Sequence, residues 1–141
     1  MTVRVERAFE FEAPPEQVWE FIADPGRRAG TISVVERWEQ EGDETVWHLS
    51  LPIPFVDQTV AVRTRDVEVD PGERVRFEGR SRVMNVQGEH ELEAIDGGTR
   101  LLNRFAVDGR IPGVERFFER NLDDELENLR TALLRELGLE A

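Results

Sequence analysis

The stretch Val83-Met84-Asn85-Val86-Gln87-Gly88-Glu89-His90-Glu91-Leu92-Glu93-Ala94-Ile95 alternates with a period of two. Met84, Val86, Gly88, His90 and Leu92 fall on one side, and Asn85, Gln87, Glu89, Glu91 and Glu93 on the other. That pattern is a strand with one face in a core and one in water, as antiparallel sheets provide. Asp96-Gly97-Gly98 follows as a hairpin turn, and a second strand over 99–107 puts Leu101, Asn103, Phe105 and Val107 on one side.

Moving back towards the N-terminus, the same alternation predicts strands at about 73–82, 56–69, 44–51 and 31–40. Asp70-Pro71-Gly72 separates the first two. Val75 and Phe77 face inward, while Arg63, Arg65, Arg74, Arg76 and Arg80 face outward. Trp47, Leu49 and Leu51 mark the inner face of their strand, and Pro52 and Pro54 exclude the segment after it from mid-sheet. Residues 2–12 make one more strand, with Val3, Val5, Phe9 and Phe11 in phase.

Two helices complete the pattern. Ala13-Pro14-Pro15-Glu16 opens the first, with proline where no N–H is lost and Val18, Phe21 and Ile22 as its apolar stripe; Asp24-Pro25-Gly26 stops it. Arg27-Arg28-Ala29-Gly30 reads as a loop or a short helical turn. Beyond Gly113, Phe118, Leu122, Leu126, Leu129, Leu133 and Leu137 recur at steps of three and four, giving an amphipathic helix of about 24 residues that Gly138 ends. The expectation is a single α+β domain over residues 1–141, a curved antiparallel sheet of six to seven strands wrapped around the C-terminal helix. The space between sheet and helix is where a ligand would sit.

Composition narrows the function. The net charge is -12, and all 18 cations are arginine against 30 carboxylates, which excludes a phosphate-binding surface of the nucleic-acid kind. A carboxylate-rich, lysine-free chain suits a salt-adapted, halophilic proteome, although GC-rich coding also favours arginine. There is no cysteine, so thiolate chemistry and cysteine-ligated metal are excluded. The N-terminus lacks the apolar stretch of a signal peptide, no run is long enough to span a bilayer, and the expected location is cytoplasmic, with no membrane insertion.

The segment Phe9-Glu-Phe-Glu-Ala-Pro-Pro-Glu-Gln-Val-Trp-Glu-Phe-Ile-Ala-Asp-Pro25 resembles the N-terminal signature of the START-like, or SRPBCC, ligand-binding superfamily. Asp70-Pro71-Gly72 with Arg74-Val75, and Gly97-Gly98-Thr99-Arg100-Leu101, resemble its later turns, and the last helix fits as well. Within the superfamily the chain is most similar to polyketide cyclase/dehydrase-like and carbon-monoxide-dehydrogenase-subunit-G-like proteins. The resemblance implies a helix-grip fold with a deep hydrophobic cavity for a lipid, sterol, quinone, polyketide, isoprenoid-like or plant-hormone-like molecule. It implies no shared catalytic set and no cofactor.

Phosphate-loop, dinucleotide, nucleophile-elbow and zinc-protease motifs are all missing. The expected cavity residues are Trp47, Gln58, Val60, Phe77, Val86, His90, Asn103, Phe105 and Asn121. His90, Asn103 and Gln58 are polar yet in phase with apolar neighbours, which is costly unless they meet one another, water or a ligand. Each is equally readable as a satisfied core residue. Trp19, Trp38 and Trp47 read as core or cavity wall, and Pro52–Phe55 and Arg27–Gly30 as segments near the rim. Glu89, Glu91 and Glu93, like Asp123-Asp124-Glu125 on the helix, read as solvated faces. Binding or carriage of a hydrophobic small molecule is the first reading. A cyclase/dehydrase enzyme with His90 as its acid–base group is the second, and an assembly factor for a redox or membrane complex the third.

Overall fold

The hairpin register places β6 inside a seven-stranded antiparallel sheet, between β7 and the central β5, in the computed structural model, which describes residues 2–54 and 56–139. Along the chain come β1 (Thr2–Phe11), α1 (Pro15–Ile22), α2 (Pro25–Ala29), β2 (Val35–Glu41), β3 (Glu44–Leu49), β4 (Val60–Asp70), β5 (Arg74–Arg80), β6 (Met84–Ile95), β7 (Gly98–Gly109) and α3 (Val114–Glu136). The sheet order is β1-β7-β6-β5-β4-β3-β2. Strands two to seven form a meander, and β1 pairs with β7 from Thr2↔Asp108 to Phe11↔Thr99. The two short helices carry the chain from one sheet edge to the other.

Local sequence explains the element ends. Pro15 and Glu16 start α1, which buries Val18, Phe21 and Ile22. Asp24 both follows α1 and caps α2, its carboxylate accepting from the Gly26 and Arg27 amides at 2.9 and 3.3 Å. The same residues that stop one helix therefore start a second, so the segment read as a loop or turn is helical. Gly113 caps α3 with φ 95°, a left-handed conformation that side chains oppose. The strands expected from 31 and 56 begin only at Val35 and Val60, because the preceding residues make turns instead of ladder bonds.

The core forms two clusters joined along α3. Trp47, Leu49, Phe77, Val86, Phe118 and Leu122 belong to one. Phe11, Val18, Ile22, Leu101, Leu126 and Leu129 belong to the other. Trp38, expected in the core or cavity wall, is 44% exposed on the edge strand β2. It lies instead against Gly26, where an added Cβ would come within 2.3 Å of its ring. A bulge between Asp66 and Glu68 ends the alternation of β4, so Val69 beyond it is exposed.

Candidate functional site

A cavity of about 40 Å³ lies at the seam of the two core clusters, between the sheet and α3. Four strands supply its floor: Trp47 and Leu49 from β3, Phe77 from β5, Met84, Val86 and His90 from β6, and Phe105 from β7. Phe118, Leu122, Glu125, Leu126 and Leu129 from α3 form the roof. Arg28, Thr31, Ile32 and Val34 close one side. Thr31, Ile32, Val34 and Glu125 keep partial exposure where the segment before β2 meets α3, which makes that side the natural entrance; Phe105 is the other partly exposed lining residue.

Phe77 organises the interior. In register it faces Gly88 on β6, and Gly88 faces Phe105 on β7. A Cβ at Gly88 would sit 2.3 Å from the Phe77 ring, so glycine is what lets that ring lie across the strand. The Phe77 and Phe105 rings meet edge to face at 5.8 Å, and Trp47 meets Phe77 likewise at 5.7 Å. His90 stacks on its other flank at 6.3 Å, and the Arg28 guanidinium stands 5.1 Å from the ring centre.

The polar groups are few, and most are committed. Asn103, fully buried behind His90, donates from Nδ2 to the carbonyl of Arg7 at 3.2 Å. That fixes its amide, so Oδ1 faces His90 Nδ1 at 2.8 Å and Nδ1 carries the proton. Nε2, across the ring, is then an acceptor, and it makes no hydrogen bond among the described residues. Burial, seconded by the Arg28 charge and opposed by the Asn103 bond, pushes the His90 pKa down to about 4. The imidazole is neutral at physiological pH. Trp47 Nε1 is a buried donor without a partner among the described residues.

Arg28 is buried yet charged. Its Nη1 donates to the Ile22 carbonyl at 3.0 Å and its Nη2 to Asp66 at 2.5 Å. Burial lowers its pKa from the ordinary arginine value, against the pull of Asp66. At the entrance, Glu125 accepts from the Ser33 amide at 2.8 Å and from its hydroxyl at 2.6 Å, tying the segment before β2 to α3.

Of the residues expected from the sequence, the structure brings Trp47, Phe77, Val86, His90 and Phe105 together around the cavity. Asn103 supports His90 from behind. Val60 is buried in the Trp47 cluster but does not line the cavity. Gln58 is exposed ahead of β4, where strand parity no longer applies. Asn121 donates to the Phe117 carbonyl of its own helix at 2.7 Å and is spent there; Leu122 beside it reaches the cavity instead. Ile53 packs against the core, and Phe55 lies outside the described residues.

Arg28 and Glu125 are the charged lining residues: the sequence reading put Arg28 no closer than a rim segment and missed Glu125, as it missed the lining role of Thr31, Ile32 and Val34. Asp66 carried the signal for Arg28, since it continues the inward phase of Val60, Val62 and Thr64. For Glu125 the signal was its position three residues beyond Leu122, on the face of the leucine stripe, so it is not part of a wholly solvated acidic run. Among the described residues no group of His, Asp and Glu could hold a metal ion, and no helix is long and apolar enough to cross a membrane.

No curated protein matches this chain in sequence. Solved structures match its fold. The Zhui aromatase/cyclase from Streptomyces sp. R1128 is 18% identical, with a TM-score of 0.76 over 98% of this chain and 94% of that one. A conserved protein from Geobacillus kaustophilus is 16% identical, with a TM-score of 0.78 over 96% and 95%. A START superfamily protein from Mycobacterium smegmatis is 12% identical, with a TM-score of 0.72 over 96% and 97%. Residues 2–134 match the family described as polyketide cyclase/dehydrase and lipid transport. On that match, which spans nearly the whole chain, and with a fold that the solved structures share, the chain belongs to this family.

Proposed function

We propose that the protein binds or carries a hydrophobic small molecule between the sheet and α3. The observation that carries this reading is Trp47 Nε1, a buried donor with no partner among the described residues, in the wall of a mainly apolar, aromatic cavity. A buried donor without a partner costs about 1–3 kcal/mol, which a core selected for stability alone would avoid. Ligand pockets commonly combine apolar walls with a few such polar groups. At about 40 Å³ the cavity has room for water, whereas ligand sites run from about 300 Å³, so loading requires the segment 31–34 and α3 to part.

An enzyme of the cyclase/dehydrase type is the second reading, supported by the neutral His90 with its free Nε2. A pKa of about 4 argues for an acceptor of hydrogen bonds over a proton store, since a base works best with a pKa near the operating pH. Binding without turnover is therefore preferred. Native mass spectrometry of the purified protein tests it: a retained mass that organic extraction releases is expected. A protein that carries nothing, and whose melting temperature no apolar compound raises, would overturn it.

A further inference from the structure

Resting on that reading, we infer that the cavity selects a neutral alcohol or phenol over the matching ether or carboxylate. Two atoms carry the argument. Asn103, locked by the Arg7 carbonyl, orients the protonated Nδ1 of His90 towards the sheet. Nε2 is thereby an acceptor with no donor to meet it among the described residues. A ligand hydroxyl supplies that donor. Trp47 Nε1 is the complementary case, a donor in want of an acceptor, and the lone pairs of a ligand oxygen supply one.

The ionic groups argue against an anion. Arg28 is the cation of the lining, but Asp66 at 2.5 Å already compensates it. Glu125 adds a second carboxylate at the entrance. A ligand carboxylate would meet the Nε2 lone pair with its own and leave water without a free cation to receive it. An ether keeps the oxygen for Trp47 but has no proton for His90. Selectivity is thus set by the Asn103–His90 tautomer, and the apolar walls set affinity.

Calorimetric titration with 2-naphthol, 2-methoxynaphthalene and 2-naphthoate tests this on the intact protein. The phenol should bind about five- to tenfold more tightly than the ether, the difference a neutral hydrogen bond makes, with the carboxylate weakest. In His90→Phe, checked by circular dichroism for its fold, phenol and ether should bind alike. If that variant does not fold, His90→Leu serves: it too removes the Nε2 acceptor, so the preference for the phenol should be lost. Equal binding of phenol and ether by the wild type would overturn the inference. So would tightest binding of 2-naphthoate, which would make Arg28 the anchor. Failure of all three probes to bind overturns it too, while a retained mass in the native spectrum would leave the binding reading standing.

Discussion

His90 is held neutral by its surroundings, and that gives the fold a dependence on pH. The folded pKa, about 4, lies below the ordinary 6.5, so the unfolded chain binds the proton more readily. The contribution is fully present above pH 6.5 and is lost as the pH falls towards 4. Between pH 6.5 and 5, before most carboxylates titrate, the wild type should lose roughly 1–2 kcal/mol more than His90→Gln. Urea denaturation at the two pH values measures it, and parallel losses would mean that His90 is hydrated in the fold. At this scale the sequence was legible where a strand continued on both sides of the residue. Phe77, His90 and Phe105 follow from parity. Gln58 fails because the parity of β4 was carried past its start at Val60. Arg28 could not be found from its own neighbours, since its burial depends on Asp66, 38 residues away.

The segment from α2 to β2 is held differently from the rest of the cavity wall. Ser33 gives Glu125 both its amide and its hydroxyl, and Arg27 reaches Glu136 at 3.2 Å, so two exposed contacts fasten this segment to α3. Such contacts add little to global stability but set how often a segment opens. Glu125→Ala should speed amide exchange of Ser33 about fivefold or more, with stability changed by less than about 1 kcal/mol. Hydrogen exchange followed by NMR reads both quantities, and an unchanged Ser33 rate would show that something else holds the entrance. Element types were legible because each has its own period: two in β6 and β7, three to four in α3. Element ends were harder. Residues 31–34 are apolar enough to continue β2, yet Ile32 N and Val35 N bond to carbonyls of Ala29 and Ile32, within the turn. That choice is made by the cap of α2 and by Glu125, neither of which is visible in a local pattern.

Across the whole molecule, charge is the dominant surface property. Ion pairs such as Arg104 with Glu6 and Glu89 on the strands either side, and Arg63 with Glu44 next door and Glu41 one strand further, stitch the sheet, but the net charge stays at -12. Repulsion among the surplus carboxylates weakens as the screening length drops from about 10 Å at 0.1 M salt to about 3 Å at 1 M. The melting temperature should therefore rise in molar potassium chloride, and a flat or falling melt would show that the ion pairs outweigh the surplus. The pairing of β1 with β7 acts on a different axis, that of time. The ribosome makes β1 first, yet its partner spans Gly98–Gly109. Until β7 is made, β1 has no strand to pair with, and only its contacts with α1, such as Phe11 with Val18 and Ile22, are within reach. Closing the sheet means bringing together the two most distant strands of the chain, a loop closure that is slow to find. Until that closure β1 stays unpaired, and Arg4, Glu6, Arg7 and Glu10, which punctuate it, guard it against passing strands.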